Sequence, residues 1–583
     1  MFRESILTAL SRTMFVVAGI AAASLILEYG FYLGRPELQA LHLVDLVIVG
    51  IFAVDAVVRF ALSRRKTAYL RSRWPGLAIV ALMIIQLVAV AQLRGRGWLP
   101  AFLEERSVFS IAKAYIIVLQ VYLVYLIGAE MVRLNARIAS LRIHPARTVI
   151  FSFIAIIVVG ALLLSTPRAT PDGAIPTIDA FFTATSAVCV TGLVVRDTGR
   201  DFTPLGHGII LTLIQIGGLG LITFTAFFAL VMRRGLGLRE SLVARSMLSF
   251  EAVGNVGRTL RLMIGFTLAI EGVGAAMLYL ATRSDFASAG VTWSRSVFHS
   301  ISAFCNAGLS LYSTSFERYA GSVPVNLVMT TLIILGGLGF PVIMNLLGRR
   351  VLRPGFGGRA RRFSLHSRMV LAVTAALLVI GTVAFLALEW DGALAGRSLG
   401  QKIMASYFGS VTARTAGFNT VRTSVLGLPA LFLLAGLMFI GGSPGGTAGG
   451  VKTVTFGLVL AAIASMFGGK RRVEVAGRHV PDQSINEALV IVAMGLLVVT
   501  AGTFVLLVVE DLPLSSVLFE VVSAFGTVGL STGVTPTLSA AGKIAIMMIM
   551  LTGRIGPLTL ALAIGQRRAR ALYDYPEERV VIG

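Results

Sequence analysis

Charge is scarce in this chain. Only 14% of its 583 residues are Asp, Glu, Lys or Arg, where a soluble domain carries about a quarter, so a water-soluble globular fold is excluded at the outset. Cysteine is nearly absent, at two residues, which removes a disulfide-built secreted scaffold, and no signal peptide with a cleavage site is evident. The six histidines show no metal-ligand spacing. Nucleotide loops, Ser/His/Asp groupings and CxxC pairs are all missing. A membrane-embedded enzyme would need clustered acids or histidines and is disfavoured; the chain reads as a non-enzyme.

Apolar residues are plentiful: 56% of the chain is hydrophobic and the mean hydropathy is +0.85. They fall in blocks of about 17–25 residues, the length of a membrane-crossing helix. Twelve spans are expected, four near 14–33, 43–62, 76–93 and 108–131, and eight near 148–164, 208–231, 262–281, 324–347, 369–388, 428–468, 487–508 and 543–565. The chain holds 51 Lys and Arg against 28 acids, a formal charge of +23. The bases cluster in short loops at 63–74, 132–147, 232–261, 348–368 and 470–478 and in the tail at Arg567, Arg568 and Arg570. Alternating spans put all of these on one side, the positive-inside pattern, whereas Arg94 and Arg96 fall on the other. The expectation is a multi-pass protein of the cell membrane with both termini cytoplasmic. Its basic loops contact membrane lipid and imply no nucleic acid.

Between the members of each later pair lies a shorter stretch, at 178–192, 295–308, 403–417 and 515–529. Aligned on Gly192, Gly308, Gly417 and Gly529, the stretches are spaced by 116, 109 and 112 residues, the mark of an internal repeat. Ten residues before the glycine stand Phe182, Phe298, Tyr407 and Phe519; six before stand Ser186, Ser302, Val411 and Ser523. A second glycine follows in each, at Gly217, Gly336, Gly441 and Gly553. Such stretches are too short to span and survive at bilayer depth only where protein buries them or where they line water. Each would form a short helix entering from outside, with its negative dipole end toward the membrane middle. The glycine then lets the chain turn back at positive φ. Four such ends, with a ring of main-chain carbonyls, make a site for a dehydrated monovalent cation.

The runs TATSAVCVTGL (183–193), FCNAGLS (304–310), TARTAGFNT (412–420) and FGTVGLS (525–531) resemble the four filter loops of the Trk/Ktr/HKT superfamily of potassium-translocating membrane proteins. GGSPGGTAGGVKT (441–453) and GRIGP (553–557) resemble its gate elements. The resemblance covers about 148–570. It implies an all-α integral membrane protein with four helix–pore-loop–helix repeats around a pseudo-fourfold pore, acting as the pore-forming subunit for K⁺ uptake. It also implies a homodimer and a cytosolic nucleotide-binding, TrkA/KtrA-like regulatory subunit. In that family a serine at the first filter glycine goes with Na⁺; Gly192 favours K⁺ as the transported ion, with a Na⁺-selective or cation-coupled symporter of the same superfamily as the alternative. The coordinating carbonyls are expected from Val190, Thr191 and Gly192; Asn306, Ala307 and Gly308; Thr415, Ala416 and Gly417; and Thr527, Val528 and Gly529.

Six glycines in 441–450, with Pro444, cannot continue a helix. Gly441, Gly442, Gly445, Gly446, Gly449 and Gly450 are therefore read as a flexible plug below the filter. Arg554, mid-span where a charge is expensive, is expected to face the cavity and pair with carbonyls of that loop, with Lys452 adding to the barrier. Glu520 would counter Arg554 or hold its helix in place, and Glu271 would pair within the bundle. Cys189 and Cys305 are expected as small packing residues. The N-terminal region holds Phe52, Asp55 and Arg59, which resemble the second helix of voltage-sensor domains, as Trp74-Pro75 resembles the start of a third. Only Arg106 and Lys113 precede the fourth apolar run, so a sensing helix is absent and a four-helix accessory bundle is expected. The domains expected are 1–140 for that bundle, then 141–240, 241–350, 351–475 with the gating loop, and 476–583 with the basic tail.

Overall fold

The computed structural model describes residues 2–62, 66, 145–232, 256–286, 288–347, 364–470 and 472–564. Nearly all regular structure among them is helical. The chain divides into two compact units, Met1–Ile143 with Ser165–Ile175, and His144–Leu164 with Pro176–Gly583. In the first unit, α1 (Phe2–Gly30) packs against α2 (Arg35–Leu62), and the Arg168 guanidinium donates to Glu28 O at 3.1 Å. Asp55 is buried on α2. The side chain of Arg59, the third and fourth expected spans, and most of the basic loops lie outside the described residues.

The second unit begins with α3 (Pro145–Leu164), α4 (Thr177–Val188) and α5 (Pro204–Met232). The long–short–long pattern returns in α6 (Val256–Thr282), α7 (Ala289–Phe304) and α8 (Val323–Leu338) with α9 (Phe340–Leu347). It returns again in α10 (Leu365–Leu388), α11 (Leu399–Thr412), α12 (Leu428–Phe439) and α13 (Thr453–Phe467). The last passage is α14 (Asp482–Val509), α15 (Leu514–Gly526), α16 (Ala540–Ile555) and α17 (Pro557–Ile564). A two-residue-stranded hairpin, Glu474–Val475 against Arg478–His479, joins α13 to α14.

Four described helices, Ala146–Leu164, Arg261–Thr282, Leu365–Leu388 and Asp482–Val509, are long and apolar enough to cross a bilayer unbroken. Their outer faces expose Leu162, Leu280, Val379 and Leu497, a surface suited to acyl chains rather than water. The short helices bury their aromatics, with Phe182, Phe298 and Phe519 at most 2% exposed. Serine caps start several elements: Ser364 Oγ accepts from Ser367 N at 3.1 Å, and Ser398 and Gln401 form a capping box.

Two of the spans expected to be continuous are broken, and the one expected to be interrupted is. The span expected at 324–347 bends by 100° between α8 and α9. There Gly339 takes φ +78 and Pro341 follows, so neither the dihedral nor the missing N–H allows a helix to continue. The span expected at 543–565 breaks in the same way at Gly556, with φ +91 ahead of Pro557. The span at 428–468 is two helices separated by residues 440–452.

Candidate ion-binding site

The four aligned glycines meet. All have positive φ, at +92 for Gly192, +68 for Gly308, +76 for Gly417 and +93 for Gly529. A Cβ placed on Gly192 would stand 2.5 Å from Ala307 O, and one on Gly308 would stand 2.9 Å from Ala416 O. A Cβ on Gly417 would collide with Val528 O, and one on Gly529 with Thr191 O. Each glycine thus abuts the carbonyl that precedes the next glycine, and the fourth contact returns to the first stretch. The ring is closed, and one type of contact builds all four of its joints.

Two residues before each glycine the chain is also left-handed, with φ of 55 at Val190, 58 at Asn306, 69 at Thr415 and 50 at Thr527. The intervening Thr191, Ala307, Ala416 and Val528 are not. This alternation of hand departs from both a helix and a strand, in which one backbone conformation repeats. This second left-handed position was not foreseen, because Val, Asn and Thr carry no glycine-like signal. The Asn306 amide and the Thr415 hydroxyl lie 3.2 Å apart behind this backbone.

A hydroxyl on each short helix holds the turn. Ser186 Oγ accepts from Gly192 N at 3.0 Å and Ser523 Oγ from Gly529 N at 3.1 Å. Ser302 Oγ donates to Leu309 O at 2.8 Å. In the third stretch Thr412 Oγ1 donates to Phe418 O at 2.5 Å. The sequence alignment had set Val411 and Tyr407 in these slots, and the structure corrects both. Thr191 N, Ala307 N and Val528 N reach back five residues to Ser186 O, Ser302 O and Ser523 O, whereas Ala416 N reaches back four to Thr412 O. The third turn is one residue shorter, so Thr412 and the buried Phe408 replace their expected neighbours.

The second set of glycines packs against the ends of the short helices. A Cβ on Gly217, Gly336 or Gly553 would strike Val188 O, Phe304 O or Phe525 O, whereas Gly441 abuts Gly449 O. The 440–452 segment folds on itself through Gly441 N to Val451 O at 2.8 Å and Thr453 N to Gly442 O at 3.0 Å. It joins the α8–α9 break through Ser443 N to Gly337 O at 2.9 Å and Phe340 N to Gly445 O at 3.1 Å. Gly449 and Gly450 lie against Thr527 and Gly526, and Gly446 touches Gly336 O.

Arg554, 1% exposed, donates through Nη1 to Thr447 O and through Nη2 to Gly217 O at 2.7 Å. Lys452 Nζ donates to Ala448 O. Glu520 does not meet Arg554. Its carboxylate turns the other way, toward Ser531, Thr532 and Thr535, because it sits well before the helix end that Arg554 approaches. Glu271, 4% exposed, is held by Gln215 Nε2 at 3.2 Å. Cys189 and Cys305 are buried and free.

A cavity of about 440 Å³ opens on one side of the ring, lined by all four ring glycines and by polar groups including Ser310, Glu317, Asn419 and Ser531. A cavity of this volume has room for water and a small cation. The model of the TrkH family, described as a cation transport protein, matches residues 108–568. The chain belongs to the TrkH family. Ktr system potassium uptake protein B of Bacillus subtilis (strain 168) is 36% identical to it over 445 residues, 76% of this chain and 97% of that protein. Potassium/sodium uptake protein NtpJ of Enterococcus hirae is 36% identical over 450 residues, 76% of this chain and 98% of that protein. Among solved structures, the potassium transporter TrkH from Vibrio parahaemolyticus aligns with a TM-score of 0.59 at 18% identity, covering 85% of this chain and 97% of that one. This likeness speaks for the fold. Membership of the TrkH family makes the chain a membrane-embedded transporter.

Proposed function

We propose that this TrkH-family chain is the pore-forming subunit of a potassium-uptake system in the cell membrane, with four helix–pore-loop–helix repeats around a pseudo-fourfold axis. The observation that carries the proposal is the closed glycine ring, in which one contact type recurs at every joint. Potassium sheds its water at such a site because backbone carbonyls replace it. The filter residues are Val190 to Gly192, Asn306 to Gly308, Thr415 to Gly417 and Thr527 to Gly529. The 441–450 loop, tied by Arg554 and Lys452, closes the path on the other side of the ring. Both termini face the cytoplasm in this reading, which the bias of basic residues to one set of loops supports. A homodimer and a cytosolic nucleotide-binding subunit complete the assembly; the relatives named for the Ktr system support such a partner.

The relative named for both potassium and sodium uptake motivates a second reading, a Na⁺-permeable or cation-coupled carrier. Gly192 favours potassium, since any side chain there displaces the Ala307 carbonyl. The deciding experiment is flux of K⁺, Rb⁺ and Na⁺ into vesicles holding the purified protein, with and without an imposed proton gradient. K⁺ and Rb⁺ should enter and Na⁺ should lag well behind. Equal rates for all three would end the potassium reading, and uptake only with the gradient would establish coupling.

A further inference from the structure

Behind the cavity, two of the four stretches carry the same strut. Nine residues before the ring glycine stand His299 in the second stretch and Glu520 in the fourth. His299 Nδ1 lies 2.8 Å from Arg295 O, which can only accept, so that nitrogen carries the proton and Nε2 is an acceptor. Nε2 accepts from Leu311 N at 3.1 Å and lies 3.1 Å from Ser310 Oγ. Glu520 repeats the last two contacts, eleven and twelve residues on: its Oε1 accepts from Thr532 N at 3.0 Å and meets Ser531 Oγ, while its Oε2 lies 2.9 Å from Thr535 Oγ1, a contact His299 lacks. Because the ring runs first, second, third, fourth and back to first, the two struts stand diagonally across it.

The struts share geometry and differ in charge. His299 is neutral, whereas the Glu520 carboxylate faces one N–H, from Thr532, and two hydroxyls within donating reach, Ser531 and Thr535, contacts that offset part of the cost of burying a charge. Two other acids of this unit have basic partners: Asp179 pairs with Arg196 and Lys543, and the cavity-lining Glu317 stands 3.4 Å from the exposed Arg422. No described Lys, Arg or His pairs with Glu520, which is 2% exposed and little screened by salt. Asp197 also lines the cavity, but it is half-buried and open to water.

We infer that Glu520 is an affinity-determining positioning residue, a buried anion that grips the 531–535 wall of the cavity and draws the cation to the ring. The inference rests on the potassium-uptake reading. Its test is the concentration dependence of Rb⁺ uptake into vesicles holding the full chain. Glu520→Gln keeps an acceptor and removes the charge, and should raise KM about tenfold with the maximal rate little changed, the order expected for one unit charge in a partly screened site. Glu520→His, the solution already used at position 299, should do the same if the neutral strut folds here too. Asp197→Asn should shift KM less than either. A wild-type KM in Glu520→Gln, a loss confined to the maximal rate, or a larger shift in Asp197→Asn would overturn the inference. Absence of Rb⁺ and K⁺ uptake by the unmodified protein would instead remove the functional reading beneath it.

Discussion

A methyl group at position 192 would stand 2.5 Å from the Ala307 carbonyl oxygen and 2.9 Å from Gly308 Cα. Both partners are backbone, so neither can swing aside as a side chain would. The dihedral adds to this, because φ +92 strains an L-residue by about 1–2 kcal/mol. Gly192→Ser should therefore shift the Ala307 carbonyl and lower K⁺ over Na⁺ selectivity by about tenfold, read as the ratio of the two uptake rates in vesicles. Selectivity that stays at the wild-type ratio would mean that this ring does not choose the ion. The glycines themselves were legible in the sequence, because positive φ leaves a residue-type signature. The one-residue shift at Thr412 was not. Val411 and Tyr407 fit a gap-free alignment, and only the change from a five-residue to a four-residue hydrogen bond reveals the missing residue.

At the scale of elements, the same residues that end helices tie the 440–452 loop to its neighbours. Gly339 and Gly556 break α8 and α16, and the carbonyls and N–H groups freed at the first break are taken up by Ser443, Gly445 and Thr447. Hydropathy could not show these breaks, since glycine and proline pass unnoticed within an apolar window of span length. The interruption at 441–450 was visible because six glycines crowd into it. Thr447 ties that loop in three directions: its N–H meets Gly336 O, its hydroxyl meets Phe304 O at 3.3 Å, and its carbonyl takes Arg554. Deleting 445–447 should raise basal Rb⁺ flux several-fold while leaving the K⁺ over Na⁺ ratio unchanged, since the ring lies outside the deletion. Arg554→Ala should act in the same direction: it removes a cation from the path and leaves Thr447 O without its partner, at about 1–3 kcal/mol. Flux that remains at the wild-type level in both variants would show that the loop is a static floor and not a barrier.

At the scale of the molecule, the curated relatives are accounted for almost completely, over 97–98% of their length, by 76% of this chain. The family match starts at residue 108, so the additional length lies chiefly at the N-terminal end. The contact pattern divides the chain farther along, with Met1–Ile143 and Ser165–Ile175 in one unit and the ring, the loop and Arg554 all in the other. Every hydrogen bond that holds the ring lies within that second unit. If residues 1–140 form four spans, their removal takes away an even number of crossings. His144 would then begin on the same side of the membrane, and the positive-inside bias of the remaining loops would be kept. A chain of residues 141–583 should accordingly insert, run as a folded species in detergent, and support K⁺ uptake within about twofold of the full chain, as expected of an independent domain. The check is growth on limiting K⁺ in cells lacking their own uptake systems, with inserted protein quantified in the same cells. Normal insertion with no uptake would assign the first 140 residues to the transport path and break the proposed domain boundary.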